Sequence, residues 1–516
     1  MPTRSRLIRV IIAAVALAGA ALWKSRAPEA EPPGPRNPGE GASITRTLGT
    51  VAFTPCSLSG GLAPQGIDAQ CAKLSVLEDR SAPAGRRLEL AIALVPASRD
   101  ALPDPVVMIA GGPGQSALES YPQLAGAFAE VRKNHNVILV DQRGTGGSNR
   151  LRCVDHSDGG ASAPDRDDLE LALKELQVRT EACAKELSAR ADPRFYSTSE
   201  AIDDLDEVRA ALGVEKLNLM GISYGTRVAQ QYAKRYPAHT RTVTLDGVVP
   251  NTLVLGNDHA KNLERSLDAQ FALCANDPKC LARLGNPRAR LDALLTLLKT
   301  KKPLVRYRDA VTGESKEEVL ERHHVTTLAR MFSYAPFAAG LLPLVLDEAA
   351  QGRYEPLLAL SNLITAGFSE SLSNGMELSV ICAEDAVGLK VDPADAQTLL
   401  GNELIRAVQT QCEVWPHGEA PKDARAPLSG PLPVLLLSGE LDPVTPPKYG
   451  DEVAKTLPNA RHLVVRGQGH NVLPAGCVPR LFAQFIDSAN ALTLEASCLN
   501  TVATAKPFVE FYGWDP

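Results

Sequence analysis

The chain is 516 residues long, 44% hydrophobic and 22% charged, with a formal net charge of −6. That length accommodates one large core, or a core carrying an elaborate insertion. A mildly acidic chain without a basic block lacks the electrostatic footprint of a nucleic-acid binder, so no nucleic-acid partner is expected.

At the N-terminus, Arg4, Arg6 and Arg9 precede an apolar run from Val10 to Trp23, with Ala18-Gly19-Ala20 as a small-residue cleavage site. A basic head, a short apolar stretch and such a site describe a secretory signal over residues 1–26. The run is short for a membrane span, which needs about 20 apolar residues. Lys24 and Arg26 follow at once, so a retained anchor is the alternative. Cleaved, the leader predicts a periplasmic or secreted protein; retained, residues 7–23 tether it to the inner membrane. Residues 27–42, rich in Pro, Gly and Glu, predict a disordered linker.

Cysteine usage agrees with export. The ten cysteines are Cys56, Cys71, Cys153, Cys183, Cys274, Cys280, Cys382, Cys412, Cys477 and Cys498. None forms a Cys-x-x-Cys, and no Cys/His cluster has zinc-ligand spacing, so no metal is expected. Disulfides are the expectation, with buried free thiols as the alternative. Sequential pairing closes the shortest loops, although connectivity does not follow from sequence.

Strands are expected at Arg46 to Pro55, Leu74 to Leu77 and, by its alternation, Arg87 to Val95. The unbroken apolar runs Pro105 to Ala110 and Asn136 to Val140 suit a parallel sheet covered on both faces. Leu217 to Met220, Thr242 to Leu245, Pro433 to Leu437 and His462 to Val465 continue the type. Helical stretches alternate with them, which predicts an α/β fold with a mostly parallel, doubly wound sheet. Its first part spans 43–250 and its C-terminal part 428–516. The intervening 251–427 is mainly helical by pattern, as in Arg290 to Leu298, and is expected to cap the strand ends.

Ligand sites in such sheets lie beyond the carboxyl ends of the strands. After the first apolar run comes Gly111-Gly112-Pro113-Gly114-Gln115-Ser116, whose backbone can approach a substrate oxygen closely. A plain tight turn accounts for it equally well. After the second comes Asp141-Gln142-Arg143-Gly144-Thr145-Gly146-Gly147-Ser148, which lacks the Gly-Lys-Ser/Thr of a phosphate loop. It reads as a buttress, with Asp141 and Arg143 structural. Ser199 to Leu212 is amphipathic, with Ser199 as a possible N-cap; its Asp203, Asp204, Asp206 and Glu207 read as a solvated acidic helix face.

The third loop carries the chemistry. Leu217-Asn218-Leu219-Met220 runs into Gly221-Ile222-Ser223-Tyr224-Gly225, followed by a helical pattern from Thr226. Strand, Gly-x-Ser-x-Gly and helix together describe a strained turn that exposes a nucleophilic hydroxyl, and Ser223 is the expected nucleophile. The N–H groups of Gly112 and Tyr224 are the expected oxyanion donors. A serine nucleophile needs a base and an orienting acid, in the chain order Ser, Asp or Glu, His. Glu440-Leu441-Asp442-Pro443 follows one late strand and Gly469-His470 the next. Of nine histidines, His470 alone sits in a glycine-rich loop directly beyond a late strand. Asp442 lies further into its loop than Glu440, so the expected triad is Ser223, Asp442 and His470. No cofactor is implied.

Gly111-Gly112-Pro113-Gly114, Asp141 to Ser148, Gly221 to Thr226, Asp442-Pro443-Val444-Thr445-Pro446 and Gly469-His470 together resemble the secreted branch of the proline-iminopeptidase family of α/β-hydrolases, above all its tripeptidyl-aminopeptidase group. The resemblance spans residues 111 to 470. It implies an α/β-hydrolase fold, a triad on the same three residues, and exopeptidase action on peptides with a free N-terminus. Narrow proline iminopeptidases usually have His where this chain has Ala110 and Trp where it has Tyr224, which argues against strict proline specificity. Aminopeptidases of the family hold the substrate α-ammonium with cap carboxylates, and the resemblance points to Glu384 and Asp385 beside Cys382. An acidic helix end is the alternative account. The triad alone does not distinguish amide from ester, so hydrolysis of small carboxylic esters is the competing expectation.

Overall fold

The computed structural model describes residues 46–60, 66–153 and 169–511; the leader (1–26) and linker (27–42) lie outside the described residues. Its strands are β1 (Arg46–Leu48), β2 (Val51–Leu58), β3 (Ile67–Leu77), β4 (Arg87–Val95), β5 (Val106–Ile109), β6 (Val137–Val140), β7 (Leu217–Ile222), β8 (Thr240–Asp246), β9 (Leu304–Arg308), β10 (Ser315–Val319), β11 (Val434–Gly439) and β12 (Ala460–Val465). Ten form one sheet in the order β1-β2-β3-β4-β6-β5-β7-β8-β11-β12. The first four are antiparallel, β4 meets β6 antiparallel, and from β6 onward every pairing is parallel.

The apolar runs are unbroken because the parallel strands bury both faces. Val107, Ile109, Ile138, Val140, Leu219 and Leu436 join one core. Their alternating neighbours Val106, Met108, Val137, Leu139, Met220 and Leu437 join the other. Period-two alternation thus feeds two cores at once. The helices Thr198–Ala211 and Tyr224–Arg235 cover the first face, and Val478–Ser488 the second.

Two strand expectations change. Arg46 to Pro55 is broken by Gly49, at φ +58°, into the hairpin β1–β2. β3 begins at Ile67 rather than Leu74, because the mixed stretch from Asp68 to Lys73 pairs along β2 and β4 despite its weak apolar pattern. The amphipathic helix starts at Thr198, where Ser197 rather than Ser199 caps it in a reciprocal box with Glu200.

Between β8 and β11 the chain is helical apart from the hairpin β9–β10 and builds its own core from Leu263, Leu267, Phe271, Leu291, Val325, Leu328 and Val345. The insert touches the loops beyond three core strands. Ser373 N–H donates to Gly114 O (3.0 Å), Asn262 Nδ2 to Val444 O (3.0 Å), and His470 N–H to Tyr334 O (2.8 Å).

Five disulfides join Cys56 to Cys71, Cys153 to Cys183, Cys274 to Cys280, Cys382 to Cys412 and Cys477 to Cys498, each to its neighbour in cysteine order. Such density belongs to an oxidising compartment. No helix among the described residues is long and apolar enough to cross a membrane.

The connection after β5 leads to β6 on one side, and the one after β7 leads to β8 on the other. The crevice at this switch of direction is where such sheets bind ligands. The glycine loop and Ser223 flank it.

Candidate active site

β7 is buried throughout and ends directly at Ser223, which takes φ 55° and ψ −123°. A non-glycine residue in this region costs about 1–3 kcal/mol, so the surroundings must impose it. Ser223 N–H donates to Asp246 O (2.8 Å), and Ser223 O accepts from Thr226 N–H (2.9 Å) and Thr226 Oγ1 (2.6 Å). The flanking glycines are required: a Cβ on Gly221 would lie 2.4 Å from Gly225 O, and one on Gly225 2.3 Å from Ile109 O.

The loop after β5 closes against this turn. A Cβ on Gly111 would fall 3.0 Å from Ser223 Cβ, and Gly112 follows at φ +105°. Neither the Gly112 nor the Tyr224 N–H donates to an acceptor among the described residues. Two unpaired backbone donors thus flank the serine, the second at a helix N-terminus. The Tyr224 phenol turns inward to Thr198 Oγ1 (2.6 Å); burial, then the charge of Glu384, lifts its pKa well above the usual value.

Asp442, fully buried in the loop after β11, accepts from His470 Nδ1 at 2.7 Å. Its Oδ1 takes the N–H groups of Val444 and Thr445 (both 2.8 Å), and its Oδ2 also takes the Thr445 hydroxyl (2.9 Å). Burial alone would raise the Asp442 pKa; the His470 charge and these bonds overcome it and hold it below the ordinary carboxylate value. For His470, burial alone would lower the pKa, but Asp442 and then Asp246 win and raise it. With Nδ1 committed to Asp442, Nε2 is the nitrogen left to act as base. The Tyr334 ring stands edge-on to the imidazole at 5.2 Å. Glu440, the alternative acid, instead accepts the Gly467 N–H (2.8 Å), while His462 bonds Asp451 and Ser438.

No hydrogen bond joins Ser223 Oγ to the His470 ring in this structure; the turn after β8 lies between their supports. Its Asp246 carbonyl holds the serine N–H, and a Cβ on Gly247 would come 2.9 Å from His470 Cε1. Such bonds are often long before substrate binds.

Residues 104–475 match the family model described as the alpha/beta hydrolase fold. The chain belongs to this family. The hydrolase is 25% identical over 496 residues to serine protease Hip1 of Mycobacterium tuberculosis, covering 87% of this chain and 91% of that one. It is 31% identical over 192 residues to the tripeptidyl aminopeptidase of Streptomyces lividans, covering 35% of each. It is 26% identical over 430 residues to carboxylesterase B of Mycobacterium tuberculosis, covering 75% of this chain and 78% of that one.

Sequence reasoning missed Thr445, whose hydroxyl bonds Asp442 and lies 3.1 Å from His470 Nδ1. Thr445→Val leaves Asp442 one donor short, and a bond to a charged group is worth about 1.5–3 kcal/mol. The expected result is a fall in kcat/KM of roughly tenfold or more, with Thr445→Ser near wild type. Steady-state kinetics of the two variants checks it.

Around the site the hydrolase departs from several expectations. Asp141 and Arg143 do buttress the fold: Asp141 takes Ser116 Oγ–H (2.6 Å) and Gly147 N–H (2.9 Å). Fully buried Arg143 grips Asp204 bidentately (2.6 and 2.7 Å) and three backbone carbonyls. Asp204 is therefore buried rather than solvated, and Asp206 bonds Arg209, Tyr232 and His239.

Glu384 and Asp385 already have partners within the fold. Asp385, fully buried, takes Arg227 Nη1 (2.8 Å) and Leu255 N–H (3.0 Å), while Glu384 takes Thr198 N–H (2.8 Å). Asp385 braces the nucleophile helix through Arg227, and Glu384 the start of Thr198–Ala211, with its Oε2 3.9 Å from Arg227 Nη1. Glu377 differs. It lies one turn into Asn374–Glu384, whose lead-in bonds Gly114, and its carboxylate has no hydrogen-bond partner among the described residues. Its charge reaches the Tyr334 phenol beside His470. Burial pushes its own pKa up to about 7 against the pull of Arg330. No local pattern marks this acid; only the fold sets it near Arg330 and Tyr334.

Proposed function

We propose that this hydrolase is an exported serine peptidase that cleaves near free N-termini, releasing single residues, proline among them, or di- and tripeptides. The observation that carries the reading is Ser223 on its strained turn between two unpaired N–H groups, with a bonded Asp442–His470 pair beside it. The relatives named serine protease and tripeptidyl aminopeptidase support a peptide substrate. The basic-apolar leader and the disulfides support a periplasmic or secreted protein, tethered to the inner membrane by residues 7–23 if the leader is retained.

His470 Nε2 takes the Ser223 proton as Oγ attacks the scissile carbonyl, whose oxygen gains the electron pair and meets the Gly112 and Tyr224 N–H groups. Collapse expels the amine, protonated by the imidazolium, and leaves an ester on Ser223. Water, deprotonated by His470, then releases the acid. Asp442 keeps the proton on Nδ1 throughout.

Glu377 joins Glu384 and Asp385 as a carboxylate that meets the substrate α-ammonium, and it is the one of the three without a hydrogen-bond partner among the described residues. A carboxyl titrating at about 7 is ionised mainly above that pH, so KM for free-amine substrates falls as pH rises toward the amine's own pKa of about 8. Glu377→Gln abolishes this trend and raises KM for free-amine reporters by about tenfold or more, leaving N-acetylated ones unchanged.

Ester hydrolysis is the second reading, supported by the relative named carboxylesterase B. A panel of Pro-, Ala- and Ala-Ala-Pro- reporters, each free and N-acetylated, plus a short-chain ester, separates them. Cleavage of the free peptides alone supports the aminopeptidase; turnover of the ester alone overturns it.

A further inference from the structure

Asp246, the last residue of β8, makes two sets of bonds that meet only there. Its main-chain carbonyl accepts the Ser223 N–H at 2.8 Å. Its side chain accepts the N–H of Val472 at Oδ1 (2.9 Å) and of Leu473 at Oδ2 (2.8 Å), the residues two and three beyond His470. The carboxyl is fully buried. A buried carboxylate usually faces a cation, because desolvating an unpaired charge is costly. Here the titratable groups that bear on it are His470 and Asp442, both in the site already described. The glycine after Asp246 packs under the imidazole: a Cβ there would meet His470 Cε1, Asn471 Oδ1 and Thr445 Oγ1.

We propose that Asp246 is a positioning residue that clamps the His470 loop to the Ser223 turn and presents a second negative charge to the imidazole. The inference rests on the triad reading above, and it adds a role that this reading does not need. When Ser223 attacks, the proton moves to Nε2 and the ring becomes cationic; Asp442 meets that charge at Nδ1, and Asp246 supports it from the base of the loop. Geometry explains why an acid stands here rather than an amide: both oxygens accept from backbone N–H groups, and an Asn would set one NH2 against an N–H.

Sign follows from the charge. Asp246 favours the protonated imidazole, so removing the charge lowers the His470 pKa. Burial pushes Asp246 itself up to about 6, so it is ionised at neutral pH.

The test is the pH profile of kcat/KM for Asp246→Asn and for the smaller neutral Asp246→Ser, each checked for folding by its melting curve, with Asp246→Glu as the charge-conserving control. The expected result is an acid limb moved to lower pH in the neutral variants, a plateau lowered roughly 10- to 100-fold, and a limb near the wild-type position in Asp246→Glu. A merely structural role would lower the plateau and leave the limb in place in all three; that outcome overturns the inference. Failure of the triad reading is separate and shows in the wild type, as absence of fluorophosphonate labelling at Ser223.

Discussion

Ser223→Ala is expected to lower kcat by about 10⁶-fold, as nucleophile removal does where a triad acts as one unit. The structure explains why nothing nearby substitutes for it. The hydroxyl stands at the end of β7 with the Gly111 and Gly112 backbone on one side and the helix N-terminus on the other, and the turn admits no alternative side chain to that spot. Binding should survive, because the backbone bonds at Ser223 involve main-chain atoms that alanine retains. Stability separates two variants. Alanine keeps the strain at φ 55°, whereas Ser223→Gly relieves it. The glycine variant should melt above the alanine variant while both are inactive. Equal kcat in Ser223→Ala and wild type would remove the nucleophile from the account.

Asp442→Asn is expected to cost kcat about 10⁴-fold with little change in KM. Asp442 accepts four donors: two backbone N–H groups, the Thr445 hydroxyl and His470 Nδ1. An asparagine offers one oxygen. If that oxygen keeps the backbone N–H groups, the amide NH2 faces the imidazole and forces Nδ1 to accept. The proton then sits on Nε2, where it blocks removal of the serine proton. The pH profile carries the same signature. In the wild type His470 is raised above its ordinary value, chiefly by Asp442 against burial, so the acid limb lies above that of a free imidazole. Without the carboxylate it moves to lower pH. An unchanged limb with full activity would contradict the pairing.

Much of the sheet was legible because parallel strands covered on both faces leave unbroken apolar runs, as at Val106–Ile109 and Val137–Val140. The bonded Asp442–His470 pair was legible from order alone, each residue falling in the loop beyond a late strand. The short loops between neighbouring cysteines made sequential pairing the simplest guess, and the structure has it. What was not legible depends on which element packs beside which. Glu384 and Asp385 look like free acids until Arg227 and Thr198 arrive from elsewhere in the chain. Asp204 looks solvated until Arg143 is folded over it. Asp246 reads as the polar end of a strand, and Glu377 as one acid in a helix start. Their surroundings come from residues more than twenty positions away, beyond any local pattern. The β9–β10 hairpin was missed because Ser315–Val319 carries almost no apolar signal.

The most direct test is mass-spectrometric peptide mapping of the purified wild-type protein after treatment with a fluorophosphonate at neutral pH. The account predicts a single adduct on Ser223, formed in step with loss of peptide hydrolysis. Hydrolysis that persists without an adduct, or an adduct on another residue that abolishes it, would contradict the account.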